Sequence, residues 1–333
     1  MRTSSGAVPK LLLATAAWGL SFPTGKAVML VQDALIPGQA QWFHSALILF
    51  VRMTLATVIM AALFSRRLRS IGKNEVRQGI ALGLFGGVGM LLQTDAQHVI
   101  PASTSAFFTQ FTCIFVPIAV ALRNRVWPTT RVALSCFLVL FGCAALSGFS
   151  PSGVAFGRGE WETIAAAILF TGQILVLEKE CYQNNEMRGT ATVMFAVKAL
   201  VLAPVLLLDA RLTSEAGTGW ALWLEITNAL QSAPVILMVT LLTVFSTVFG
   251  YATMTRWQPF VSPVQAGLIY ATEPIFATLW ALFLPSWFAR VGGIHYSNET
   301  LNLPFGFGAA LILGANLLLI GGNHETPQKA EIQ

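Results

Sequence analysis

Residues 226–255 read ITNALQSAPVILMVTLLTVFSTVFGYATMT, without one charged side chain. A helix rises 1.5 Å per residue, so about 20 consecutive apolar residues cross a hydrocarbon core of about 30 Å. This stretch exceeds that length, and 132–157 and 300–324 are likewise free of Asp, Glu, Lys and Arg. Reading outward from it, the apolar runs number ten, near 9–31, 43–64, 77–99, 101–122, 130–149, 160–178, 188–208, 232–254, 263–284 and 303–322. Charged residues make up 11% of the 333, where a water-soluble protein carries roughly 25%, and mean hydropathy is +0.67. The chain is expected to be polytopic, with no stretch left for a soluble domain. Strands of a transmembrane barrel would alternate apolar and polar residues over about 10 positions. These runs are continuous, and helices satisfy their backbone bonds internally, as lipid demands. The expected fold is all-α with ten transmembrane helices.

The basic residues orient the chain. Alternate gaps hold Arg66, Arg67, Arg69 and Lys73, then Arg123, Arg125 and Arg131, then Lys179 and Arg188, then Arg256. Arg2, Lys10 and Lys329 fall on the same side, and the opposite gaps hold only Arg158, Arg211 and Arg290. Short loops rich in Lys and Arg stay cytoplasmic, which predicts both termini inside. The net charge of +5 then reflects topology and contact with anionic inner-leaflet lipid, and no nucleic-acid partner is expected. The first run ends in Ala14-Thr15-Ala16-Ala17, like a signal cleavage site, but apolar sequence continues to Leu30. It is therefore read as a span.

The sequence has no GxSxG, HExxH, P-loop or CxxC pattern. Cys113, Cys136, Cys143 and Cys181 have no metal-ligand spacing. Neither enzyme chemistry nor a cofactor or metal is expected.

The two halves resemble one another. PASTSAFFTQFTCIFVPIAVAL (101–122) and FVSPVQAGLIYATEPIFATLWAL (260–282) align with Ser105 on Ser262 and Pro117 on Pro274. Arg52 falls on Lys198, Trp18 on Phe170 and Lys26 on Glu178. Five runs per half is an odd number, so the second copy enters the membrane from the opposite side. Inverted repeats are a common plan of secondary transporters, whose sites lie near the midplane between them. The expected units are 9–149 and 160–322, with a cytoplasmic tail at 323–333. Gly79, Gly83, Gly86, Gly87 and Gly89 in the third run suit close helix packing in lipid.

Ionisable groups at membrane depth are costly and usually face a cavity or a partner. Glu273 precedes Pro274 in YATEPIF and is the leading candidate for substrate or proton coupling, weighed against a protonated packing role. Arg52 and Lys198 stand evenly between structural pairing and substrate contact. Lys26, after Pro23, is expected to snorkel outward. Asp95 and His98 share a face near the outer end of the third run, as an outer gate or as a wet helix end. Gln110 and Gln173 sit deep and need polar partners. Trp18, Tyr251 and Tyr270 are deep aromatics, suited to core packing or to a small-molecule pocket. Of the two long outer segments, 209–231 carries Trp220, Trp223 and Leu224 as an interfacial helix. The segment 285–302 reads as a loop with a glycosylation triplet at Asn298.

WGLSFPTGK (18–26), VRMTLA (51–56), the Ser-to-Pro segments and the five-plus-five order together resemble the EamA family of the drug/metabolite transporter superfamily. The resemblance covers about 11–322. It implies ten helices around a central cavity, with Trp18, Gln93, Gln110, Gln173, Tyr251, Tyr270 and Glu273 as its lining. It also implies export of amino acids or related small metabolites, and leaves the substrate open. Leu284-Pro285-Ser286 stands where the family often carries an acid. The expectation is a secondary transporter in a cell (inner) membrane, with protons or a counter-substrate as possible partners. An organophosphate or nucleotide-sugar antiporter using Arg52, Lys198 and Lys26 is the alternative, and a non-transporting scaffold or receptor is the alternative of another class.

Overall fold

The structure, a computed structural model, describes residues 6–100, 102–147, 156–213, 219–300 and 303–320. The expected tail at 323–333, Arg2 and Lys329, and the side chains of Arg67, Arg211 and Trp220 lie outside the described residues. Within them the chain is helical, with no strand. Six helices are long and apolar enough to cross a membrane, or seven if a bent pair counts as one.

The first run is a broken helix. α1 (Ala7–Gly19) and α2 (Ser21–Leu35) meet at Leu20. α3 (Gln41–Leu63) and α5 (Lys73–Val99) are continuous, joined through the single turn α4 (Ser65–Leu68). The fourth run is α6 (Ala102–Thr109) and α7 (Thr112–Asn124), and the fifth is α8 (Thr130–Ser147). In the second half, α9 (Arg158–Leu177) ends one residue short of the expected span, with Glu178 as its cap. α10 (Met187–Thr213) follows, then α11 (Gly219–Gln231) and α12 (Ala233–Leu241). A π-helical stretch over Leu242–Phe249 leads into α13 (Gly250–Trp257). The ninth run is α14 (Pro263–Tyr270) and α15 (Glu273–Ala281), and α17 (Leu303–Ile320) closes the described chain.

One expectation changes. The segment after 284 is not simply a loop: α16 (Leu284–Gly292) turns 56° away from 263–281. Pro at its second position fits a helix start, and fully buried Phe288 anchors it against α2 and α12. Asn298, read as part of a glycosylation triplet, accepts through Oδ1 from the Ser286 N–H (2.8 Å), filling one of the orphan donors of that helix start. The fourth run is broken as well. The break lies at Gln110–Phe111, held by tight i→i−3 bonds from Gln110 N and Phe111 N, while Pro117 sits inside α7.

Small residues set the packing of the longest helices. α5 lies between α9 and α10, and α10 also packs on α3. A methyl at Gly79 would stand 2.6 Å from Val193 Cβ, and one at Gly83 2.6 Å from Val197 Cβ. With no side chain there, the two backbones approach as lipid-embedded helices require. Elsewhere α8 packs on α17, and α1 on α13 and α15. α11 sets Leu222, Ile226 and Ala229 on Ile36, Phe43 and Leu47 and leaves Trp223 and Leu224 exposed, which matches an interfacial helix.

Candidate functional site

Three helix breaks converge on one cavity. They are Leu20, Gln110–Phe111 and Ala271–Thr272. A break frees backbone carbonyls, which at membrane depth need other donors. At the first break, Ser246 Oγ donates to Ala17 O (2.6 Å) and Trp280 Nε1 to Ala16 O (2.9 Å). Gly19 is required there, because a Cβ would lie 2.7 Å from Ala277 N. The second-half break falls directly before Glu273-Pro274, so Glu273 begins α15 with Thr272 as its cap.

The cavity holds about 680 Å³ of space free of protein atoms, its open mouth included. Trp18, Gln93, Gln110, Gln173, Tyr251, Tyr270 and Glu273 all line it, with Arg52, Thr109, Thr112 and Phe170. The other basic and polar candidates lie elsewhere. Lys198 is fully buried outside the wall, its Nζ 3.6 Å from the centroid of the Tyr251 ring and 3.5 Å from Met90 Sδ. Lys26 lies 5.9 Å from the Tyr296 ring centroid, beside the loop after α16. Asp95 is fully buried and bonded to Arg158 of α9, with Ser45 Oγ at 3.5 Å, and Arg158 also reaches Glu162 (2.6 Å). His98 has a buried Nε2 without a partner. Asp95 and His98 thus belong to the C-terminal end of α5 and do not reach the cavity.

The wall has an aromatic part and a charged part. The Trp18 ring stands 5.2 Å from Tyr251 and 5.1 Å from Tyr270, centroid to centroid. Both tyrosine hydroxyls have protein partners: Tyr251 donates to Sδ of Met90, itself on the wall (3.2 Å), and Tyr270 to Gln258 Oε1, off the wall (2.9 Å). Gln258, fully buried, donates in turn to Ile174 O (3.0 Å) and to Glu178 Oε1 (3.4 Å). Sequence reading did not single out Gln258 or Thr247. Nothing in their local sequence signals a role, because each acts through a contact with a distant helix.

Arg52 is 5% exposed and donates through Nε (3.3 Å) and Nη2 (3.1 Å) to Thr247 Oγ1. Thr247 Oγ1 donates to Leu242 O (3.1 Å), five residues back in the π-helical stretch. Among the described residues no carboxylate lies within 4.0 Å of Arg52 or Lys198, and no cation within 4.0 Å of Glu273. Buried charges are ordinarily paired, so the unpaired arginine on this wall is a group that a ligand would complete, and the unpaired glutamate one that a ligand or a proton would.

Among the described residues no cluster of His, Cys, Asp and Glu is placed to hold a metal. Residues 7–148 match the EamA-like transporter family. A search of curated proteins finds no match. A solved structure described only as "Crystal structure of protein" is similar over 95% of this chain and 97% of its own, with 14% identity and a TM-score of 0.61, a likeness of fold alone. Its first half thus matches the EamA-like transporter family, and its long apolar helices are those of a multi-pass membrane protein.

Proposed function

We propose that this protein is a secondary active transporter that moves small organic metabolites, amino acids or related compounds, outward through the central cavity by alternating access. The observation that carries the reading is the convergence of three broken helices on a cavity lined by unpaired Arg52 and Glu273. Discontinuous helices at a midplane site are a recurring transporter device. Packing also supports two inverted five-helix repeats, 9–149 and 160–322. α5 packs on α9 much as its second-half counterpart α13 packs on α1, while α8 and α17, the last helices of each half, pack on one another. Exchange of the halves would preserve these pairs. The proposed setting is a cell (inner) membrane with both termini cytoplasmic, and Glu273 is the proposed proton-coupling group. A non-transporting scaffold has no use for such a wall.

The test is flux of a pooled amino-acid and metabolite panel in proteoliposomes, with and without a pH gradient, for the wild type and Glu273→Gln. Gradient-driven accumulation that the variant loses is the expected result. Unchanged flux in the variant assigns Glu273 to packing and removes proton coupling. The antiporter alternative rests on fewer residues than its sequence basis, because Arg52 alone of Arg52, Lys198 and Lys26 lines the cavity. Flux that requires substrate preloaded on the opposite side would restore it.

A further inference from the structure

The wall also limits what it can hold. Arg52 and Glu273 line one cavity without pairing with each other. Arginine stays protonated in any protein environment, so Arg52 brings a permanent positive charge to a site largely screened from water. Its Nε and Nη2 are bonded to Thr247, and the described residues give Nη1 no partner. Thr247 is neutral, and a guanidinium buried beside a neutral hydroxyl lacks an anion. Lys198 adds positive potential from beyond the wall but no donor within it.

The aromatic part of the wall suits an apolar body. Trp18, Tyr251 and Tyr270 present rings whose spacings fit edge-on and tilted contacts. Both tyrosine hydroxyls already donate to protein atoms, so the two tyrosines offer mainly ring faces, while the Trp18 Nε1–H has no partner. Phe170 extends the same surface.

We infer that the substrate is a monoanionic organic acid with a flat apolar body, its carboxylate on Arg52 and its body against Trp18, Tyr251 and Tyr270. A carboxylate matches a planar guanidinium, and such pairs are among the stronger hydrogen-bonded contacts. A phosphate ester carries up to two negative charges, which the single lining cation does not balance while Glu273 shares the wall. An amine would meet the Arg52 charge directly. This inference rests on the proposed transport through the same cavity, and its test separates the two.

The full-length protein in lipid nanodiscs is titrated calorimetrically with four probes of one body: phenylacetate, phenethylamine, phenyl phosphate and phenylalanine. Phenylacetate is expected to bind at least roughly tenfold more tightly than phenethylamine or phenyl phosphate. Arg52→Gln should erase that preference while the protein stays monodisperse, and Arg52→Lys should keep part of it. If Arg52→Gln does not fold, the wild-type series decides alone. Tightest binding of the amine or the phosphate, absence of phenylacetate binding, or a tenfold advantage for phenylalanine overturns the inference. Phenylacetate binding without flux in proteoliposomes rejects the transport reading and keeps the acid site. Flux of phenethylamine without phenylacetate binding does the reverse.

Discussion

Arg52 of α3 is held by Thr247 of the π-helical stretch, through Nε at 3.3 Å and Nη2 at 3.1 Å. The contact joins a residue of the first half to one of the second, 195 positions on, and fixes where the guanidinium meets the cavity. π-helical turns are rare and frequently mark functional sites. Here the widened turn aligns the Thr247 hydroxyl with Leu242 O (3.1 Å), leaving its lone pairs for Arg52.

Thr247→Val keeps the shape and removes that acceptor. Leaving buried donors unsatisfied costs about 1–3 kcal/mol, so substrate affinity should fall roughly tenfold as Arg52 loses its position. Thr247→Ser should retain most of it. Equilibrium binding and initial flux in proteoliposomes check this, and unchanged affinity in the valine variant would remove Thr247 as the positioning residue.

The glycines of α5 divide into two kinds. At Gly83 an added methyl meets Val197 Cβ at 2.6 Å and Met194 O at 3.0 Å, atoms that cannot swing away. Overpacking of this kind costs about 1–3 kcal/mol, so Gly83→Ala should lower Tm in detergent. At Gly86 the methyl meets the ends of flexible chains, Gln173 Oε1 (2.7 Å) and Lys198 Nζ (2.8 Å). Gly86→Ala should therefore leave Tm nearly unchanged and alter transport, because it moves Gln173 on the wall and Lys198 beside Tyr251. Equal Tm losses for the two variants would contradict the distinction.

Asp95 is fully buried and Arg158 about half exposed. Breaking a buried pair costs most when the buried charge is the one left behind. Arg158→Met strands the carboxylate, whereas Asp95→Asn leaves an arginine that still reaches Glu162 and water. Tm should fall further in Arg158→Met than in Asp95→Asn, and the reverse order would show that Asp95 matters for more than pairing Arg158.

Glu178 caps α9 just beyond its last residue, Leu177. Burial pushes its carboxyl up to about 7, against the opposing pull of the Gln258 hydrogen bond and of Arg123. An unperturbed glutamate titrates near 4.3, so the folded protein holds the proton that the unfolded chain gives up. This group's contribution to stability is complete below the unfolded value and is lost as pH rises through about 7. Thermal melts should show Tm declining from pH 5 to pH 8, with a shallower decline in Glu178→Gln. Parallel slopes in the two proteins would exclude Glu178 as the source.

The helical, membrane-spanning character was legible because length and charge depletion are properties of the chain itself. The run 232–254 is too long and too apolar for a water-facing helix whatever its neighbours. The seven residues that the family resemblance implies for the cavity line one pocket in the structure. The break at Gln110–Phe111 has no proline or glycine at its turn, so no local rule reveals it. α16 was hidden by its short length, and Phe288 forms its anchor only against α2 and α12.

The sequence by itself determined that this chain crosses a membrane as apolar helices and that a few ionisable groups must lie among them, because the hydrophobic effect and the cost of burying charge act on each segment separately. Which of those groups share a space was decided only in three dimensions. Arg52 and Lys198 overlay in the sequence, yet one reaches the cavity wall and the other lies beyond Tyr251. Asp95, an outer-end acid by sequence, is bound to Arg158. A side chain's partner is set by how helices from distant parts of the chain pack, and neither the length nor the pattern of any one run encodes that.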